Sequence, residues 1–369
     1  MPNIILKNVY KKYKNTPPIL TDFSLEVKDN EIVAILGSSG SGKTSLLRLI
    51  AGLDEVSKGQ VFIGNKLVNS VEATAREIAM VFQDQNCYPH LNIYENIALP
   101  LKADKLTKNQ IKEQISDIAK TLKLENLLYT KPSNLSLGQR QCLAIAKAIV
   151  QNPKVFLLDE PFANIDPLLK ADIKKLVLSL KDSLQSSFIF ATHNQQDALS
   201  IADRIVIMKN GFIKQVDTPK DMYNNPKNLF VAEFIGHPKM NLIHGELKKM
   251  GDQIGLSFKN NFISLDKNKV RHIVNSPAPS NKIVLGIRPE HIKVINVEHS
   301  DLNGVFNATI KQIHQVGSET FIDVDVSNIQ LTLKSPNNVP LFPGDTVKIG
   351  LFLKKAHIFD EETDEILSN

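Results

Sequence analysis

Eight residues constrain this chain more than any others: Gly37-Ser38-Ser39-Gly40-Ser41-Gly42-Lys43-Thr44, which fit G-x-x-x-x-G-K-[ST]. They follow an apolar segment, Ile32–Leu36, and precede a helical one, Ser45–Ala51. That strand–loop–helix setting is the context the motif needs. Glycines let the backbone curl so that successive N–H groups point inward around phosphate oxygens. The N-terminus of the following helix adds a favourable dipole. Lys43 can then reach the β- and γ-phosphates of a nucleotide, and the Thr44 hydroxyl can ligate Mg²⁺. A chance Gly/Ser-rich turn has no reason to be framed by both a strand and a helix.

A second run, Val155-Phe156-Leu157-Leu158-Asp159-Glu160, is four apolar residues ending in two carboxylates. Alone it reads equally well as a buried strand capped by solvated acids. With the phosphate loop upstream it reads as the other half of the site, because open α/β sheets bind ligands at the carboxyl ends of their strands. Asp159 suits a Mg²⁺ shell, and Glu160 is placed to act as general base on an attacking water.

The rest of the first two-thirds alternates strand and helix. Strands are expected at Glu31–Leu36, Ile78–Phe82, Val155–Leu158, Phe188–Thr192 and Arg204–Met208. Ile111, Ile115, Ile118 and Leu122 share one helical face; Leu176, Leu180 and Leu184 share another. Strands alternating with crossover helices imply a largely parallel α/β sheet. Ile4–Val27 alternates more finely, as an antiparallel edge layer would. Near Phe234-Ile235-Gly236-His237-Pro238 the character changes. Beyond it lie short strand-like runs at Ile283–Ile287, Phe306–Gln312, Phe321–Val326, Gln330–Lys334 and Val347–Phe352, with no strong helical pattern. The expected organisation is therefore an α/β phosphate-loop domain over residues 1–236 and a small all-β domain, barrel or sandwich, over 237–369. The loop His272–Asn281, with Pro277 and Pro279, reads as exposed.

Bulk properties exclude several alternatives. A net charge of +5 over 369 residues is too mild to argue for a nucleic-acid partner. No apolar run approaches the ~20 residues of a membrane-spanning helix, and the start has too short an apolar stretch for a secretory signal. Cys87 and Cys142 show no metal spacing, so a reducing, cytosolic setting is expected. If the chain works at a membrane, a partner holds it there.

Leu135-Ser136-Leu137-Gly138-Gln139-Arg140-Gln141 narrows the class. It precedes a helical run, Cys142–Val150, and Gln139 lies 159 − 139 = 20 residues before Asp159. Ser136 suits an N-cap. The segment resembles the Leu-Ser-Gly-Gly-Gln signature of ABC ATPases, and in this company the whole chain is similar to that family's importer ATPases. The resemblance implies that Ser136, Leu137, Gly138 and Gln139 act on ATP held by a second ATPase subunit. It also implies a Q-loop glutamine at Gln83, an adenine-stacking aromatic at Tyr13, a D-loop at Asn164-Ile165-Asp166 and a switch histidine at His193, with a helical subdomain inside the ATPase domain. Gly37 through Ser45 would hold ATP, and Thr44, Gln83 and Asp159 would hold Mg²⁺. An ordinary half-buried edge aromatic is the lesser reading of Tyr13, and a lone His after a strand is usually structural.

Pro238-Lys239-Met240-Asn241 and Gly286-Ile287-Arg288-Pro289-Glu290-His291-Ile292 resemble the C-terminal, OB-like regulatory domain of carbohydrate-importer ATPases. That resemblance implies a chain peripheral to the cytoplasmic face of the membrane. Its partners would be permease subunits, a second copy of itself and, indirectly, a solute-binding protein, with a carbohydrate or polyol phosphate as cargo. Polyamine, sulfate and ferric-iron importers carry similar ATPases, so those cargoes stay open, as does a β domain that sequesters a regulator. A soluble ABC protein of DNA repair or translation would carry tandem cassettes or long insertions, and one phosphate loop is present here. The chain departs from the family pattern in four places. Leu137 stands where the signature has its first glycine, Thr44-Ser45 reverses the usual order, Asn194 replaces an acid and Lys147 replaces an arginine.

Overall fold

The computed structural model describes residues 3–14, 16–84, 87–102, 106–274, 281–295, 303–335 and 340–368. By its internal contacts the chain forms two compact units, 1–220 and 221–369.

In the first unit, β1 (Ile4–Lys11) and β2 (Leu20–Val27) pair antiparallel. β3 (Ile32–Gly37) leads to α1 (Lys43–Ala51). β4 (Lys58–Ile63) and the two-residue β5 (Lys66–Leu67) complete a four-stranded antiparallel sheet in the order β2-β1-β4-β5. The edge layer expected from Ile4–Val27 is present, and it recruits two strands that the alternation did not mark.

β6 (Ile78–Val81), α2 (Ile93–Leu101), α3 (Lys108–Thr121) and α4 (Leu137–Ile149) follow. Then come β7 (Val155–Asp159), α5 (Pro167–Leu184), β8 (Ser187–Thr192), α6 (Gln195–Ile201), β9 (Arg204–Lys209) and β10 (Phe212–Asp217). The second sheet has the order β10-β9-β3-β8-β7-β6, parallel except for the β9–β10 pair. The expected strands are all in it, displaced by no more than one residue at either end. Every residue of β3, β7 and β8 is buried, as parallel strands covered on both faces must be. Leu46, Leu47, Leu49 and Ile50 of α1 join Ile4, Leu6, Phe23 and Val61 of one sheet to Val33, Ile35, Ile189 and Val206 of the other in one apolar cluster. The phosphate-loop helix is thus fixed by the core rather than by its own propensity. On α5 the buried pair is Ile173 and Val177, with Leu176, Leu180 and Leu184 only half-buried.

The chain passes through α7 (Pro219–Asn224) and α8 (Leu229–Phe234) into the second unit. There β11 (Asn241–Met250), β12 (Gln253–Phe258), β13 (Asn261–Ser264), α9 (Lys267–Val274), β14 (Lys282–Ile287) and β15 (Ile292–Val294) come first. β16 (Asn303–Val316), β17 (Glu319–Val326), β18 (Ile329–Ser335), β19 (Thr346–Leu351), β20 (His357–Asp360) and β21 (Ile366–Ser368) complete it. Two antiparallel sheets, β13-β12-β11-β14-β20-β21 and β15-β19-β16-β17-β18, share one apolar cluster. It takes Ile243, Leu256 and Leu285 from the first sheet and Ile310, Ile322 and Leu333 from the second.

One expectation needs correction here. A helix, α9, forms where none was expected, because Lys-Asn-Lys-Val-Arg-His-Ile-Val offers too few apolar positions to show a period. Part of the expected loop His272–Asn281 therefore belongs to this helix, with Ile273 buried; Pro277 and Pro279 lie outside the described residues. By contacts the units divide at Lys220, while the composition shifts at Gly236. The Arg288 guanidinium donates to the carbonyls of Ile235 and Tyr223 at 2.5 and 2.6 Å. Ala232 packs with Met240, Val284 and Phe359. Residues 221–236 look helical, yet they pack with the β-rich unit.

Candidate functional site

β3 ends at Gly37 and the backbone turns through a loop in which Gly40 and Gly42 have φ of +77° and +102°. Gly42 could not be otherwise: a Cβ there would lie 2.9 Å from the carbonyl oxygen of Ile19, besides the strain of its φ. Lys43 begins α1 and folds back over the loop, its Nζ donating to the carbonyls of Gly37 and Ser38 at 2.9 and 3.0 Å. Burial lowers its pKa, against the opposing pull of Glu160 and Asp159. Both carbonyl contacts are ones that phosphate oxygens could replace.

β7, adjacent to β8 in the same sheet, delivers the carboxylates. Asp159 is 3% exposed. Burial raises its pKa and the neighbouring Glu160 charge adds to the rise, while a hydrogen bond to the Thr44 side chain opposes it. Glu160 has φ of +49°, a strained value for a residue with a Cβ. Its surroundings over-determine that conformation. Its N–H donates to the Ala191 carbonyl at 2.9 Å. Its carboxylate accepts from the Thr192 hydroxyl at 3.2 Å and the His193 amide at 3.0 Å, and lies 2.7 Å from His193 Nδ1.

A cavity of about 550 Å³ is lined by Gly40, Lys43, Thr44, Gln83, Glu160 and His193, with Ser39, Gly42, Ser45 and Asp159 also on its walls. Residues expected from four separate stretches of sequence thus meet around one space. Tyr13 is not on those walls. Its ring is 38% exposed and is held by its hydroxyl, which donates to Asp54 Oδ2 at 2.7 Å; Asp54 in turn accepts from Arg48 Nε at 3.1 Å. The Lys11 ammonium sits 4.6 Å from the Tyr13 ring centroid.

Ser136, Leu137, Gly138 and Gln139 are also off the cavity walls. Ser136 caps α4 through a reciprocal pair: its Oγ accepts from the Gln139 amide at 3.2 Å, and Gln139 Oε1 accepts from the Ser136 amide at 2.9 Å. Leu137 is 43% exposed, and a Cβ at Gly138 would come 3.3 Å from the Asn164 carbonyl. The signature turn therefore lies against the segment expected to be the D-loop. Asp166 itself caps α5, its Oδ1 accepting from the amides of Leu168 and Leu169.

Sequence motifs did not reveal Thr192, which fixes Glu160, nor the Arg48–Asp54 pair that fixes Tyr13. Both are pairwise contacts with no local signature. A second cavity, of about 660 Å³, opens beside Phe82 and is lined also by Cys87, Tyr88, Pro100, Lys147 and Gln151. Cys87 and Cys142 are free thiols.

Three family models match in succession along the chain: ABC transporter over residues 20–163, MalK OB fold domain over 236–292 and TOBE domain over 285–359. The oligosaccharides import ATP-binding protein MsmX of Bacillus subtilis is 38% identical over 366 residues, 99% of each chain. The chain belongs to the ABC transporter ATPase family. The sn-glycerol-3-phosphate import ATP-binding protein UgpC of Psychromonas ingrahamii is 33% identical, covering 99% of this ABC ATPase and 95% of the relative. Among solved structures, the ATP-binding cassette MJ0796, dimeric in a post-hydrolysis state with ADP and Pi, matches with a TM-score of 0.56 and 31% identity. That match spans 58% of this chain and 98% of the other. The fold is accordingly a phosphate-loop ABC ATPase domain followed by OB and TOBE modules, and the chain is an ATP hydrolase of the ABC type.

Proposed function

We propose that this ABC ATPase energises import of a carbohydrate or polyol phosphate through a membrane permease, working as a pair of ATPase subunits at the cytoplasmic face. One observation carries the cargo class: full-length similarity, OB and TOBE modules included, to relatives named for oligosaccharide and glycerol-phosphate import.

For hydrolysis the support is the clustering of Lys43, Thr44, Gln83, Asp159, Glu160 and His193 around one cavity. Lys43 exchanges its loop carbonyls for the β- and γ-phosphates of ATP, and Tyr13 supplies a face for the adenine. Thr44, Asp159 and Gln83 are hard oxygen donors suited to Mg²⁺, and the burial and repulsion that raise the Asp159 pKa are what a dication would relieve. Mg²⁺, when bound, neutralises charge on the phosphate oxygens. Glu160 takes a proton from the water whose oxygen attacks the γ-phosphorus, releasing ADP and phosphate, while His193 orients the γ-phosphate. The signature residues Ser136 to Gln139 and the D-loop Asp166 face the second subunit's ATP; their separation from the cavity within one chain fits that role. The permease docks beside Gln83, where the cavity next to Phe82 offers a receiving surface. A solute-binding protein acts on the permease from the other side of the membrane.

Polyamine uptake is the main rival cargo. Reconstitution with the chain's own permease and binding protein separates the two. ATPase stimulation by members of a sugar and polyol-phosphate panel is expected. Stimulation by polyamines alone overturns the cargo and leaves the importer role intact.

A further inference from the structure

The β-rich unit carries a cationic cavity separate from the one at the phosphate loop. It measures about 310 Å³ and is lined by Arg288, His291, Lys354, Lys355, His357 and Asn224 among others. No carboxylate is among its lining residues. Arg288 is 1% exposed. Its guanidinium lies 3.7 Å from the centroid of the Tyr223 ring, and two of its donors are taken by the Tyr223 and Ile235 carbonyls. Among the described residues it has no ion-pair partner, an uncommon state for a buried cation. The nearby Glu290 carboxylate accepts from the Tyr223 hydroxyl at 2.6 Å and attracts the Arg288 charge without forming an ion pair with it. Lys354 and Lys355 end a 3₁₀ turn, both exposed and both without a carboxylate partner among the described residues.

His291 adds an independent sign. Its Nδ1 is buried with no hydrogen-bond partner among the described residues, although buried polar atoms are nearly always satisfied. Burial lowers the His291 pKa; Glu290 acts against this, and Lys355, Arg288 and Lys293 act with it. Three fixed cations, an amide and an unsatisfied imidazole around a small concavity match a compact, multiply charged oxyanion. The volume is at the lower end of small-molecule sites.

We propose that this cavity binds a small phosphate-type dianion, either free inorganic phosphate or the phosphate of a small monoester. Such a site would let the β-rich unit sense a cytoplasmic anion independently of the nucleotide.

The test uses the full chain carrying Lys43→Ala, so that the phosphate loop does not compete. Inorganic phosphate and glycerol phosphate are titrated separately by calorimetry at constant ionic strength, with chloride as the control. Side-chain ¹⁵N spectra follow the histidines in parallel. Saturable binding at one site per chain is expected, with a shift of the His291 ring nitrogens. Lys354→Ala/Lys355→Ala should weaken that binding about tenfold or more, since charge-assisted hydrogen bonds are lost; circular dichroism checks that this surface variant folds. Saturation by both compounds identifies the phosphate group as the ligand, and saturation by glycerol phosphate alone identifies a monoester. Absence of saturation by either, or unchanged affinity in the double variant, overturns the site. Neither result bears on ATP hydrolysis at the phosphate loop.

Discussion

Glu160 is held by four contacts in a backbone conformation that most side chains avoid, which supports the general base proposed for it. Glu160→Gln keeps the shape and removes the base. ATP binding should persist, turnover should fall about 10²–10⁴-fold, and the ATP-bound dimer should accumulate on size exclusion. Wild-type turnover would remove Glu160 from the role. Asp159 makes a prediction of opposite sign for stability. Burial and Glu160 raise its pKa in the folded state, so the folded chain holds the proton more readily than the unfolded chain does. Its contribution to stability is fully present below the ordinary carboxylate range, near pH 4, and is lost as pH rises through the raised value. Asp159→Asn should therefore raise the Tm of the nucleotide-free chain by a few degrees at neutral pH and abolish Mg²⁺-dependent turnover. The Tm gap should close as pH falls towards 4, roughly the unfolded carboxylate value; a gap that widens on acidification contradicts the assignment. Both acids were legible because they sit contiguously at the end of an apolar run. Thr192 and Asp54 were not, because each meets its partner from 32 and 41 residues away.

At the scale of elements, α1 is governed from both ends. Its N-terminus faces the cavity, and its C-terminus is held by Arg76, 6% exposed. The guanidinium donates to the carbonyls of Val71, Leu49, Ile50 and Val68 at 2.7–3.0 Å. Gly52 closes the helix at φ +80°, and a Cβ there would lie 2.5 Å from Arg76 Nε. Lysine cannot span four carbonyls with one ammonium. Arg76→Lys should therefore lower stability by about 3 kcal/mol in urea titration, the scale of a broken buried network. The kcat of ATP-bound enzyme should change little. A loss under ~1 kcal/mol, that of an ordinary single hydrogen bond, would mean that water takes over the carbonyls. β3, β7, β8 and β9 were legible in the sequence because continuous apolar runs between helices have few other readings. β11, β12, β13, β20 and β21 were not. Asn-Leu-Ile-His-Gly-Glu-Leu-Lys-Lys-Met of β11, for example, is buried in its first part and largely exposed at its charged end, so no period survives along its length.

At the scale of the whole molecule, composition changes at Gly236 and contact changes at Lys220, and the sixteen residues between (236 − 220) belong by packing to the second unit. Leu229 and Ala232 lie against Met240, Val284 and Phe359. Backbone bonds join Leu229 to Asp364 and Ile366 to Lys227. A chain ending at Lys220 keeps both sheets and every residue of the nucleotide cavity, so it should fold and bind ATP. A chain ending at Gly236 keeps the same site but carries α8 without the apolar surface that covers it. Exposing such side chains forfeits roughly 25 cal/mol for each Å² of apolar area, and an uncovered patch favours self-association. Both chains should bind ATP with similar affinity. The longer should bind a hydrophobic dye more strongly and scatter more light on warming. Equal dye binding and equal scattering would show that residues 221–236 have no need of the second unit. Loss of ATP binding in the shorter chain alone would place that segment in the first unit's core.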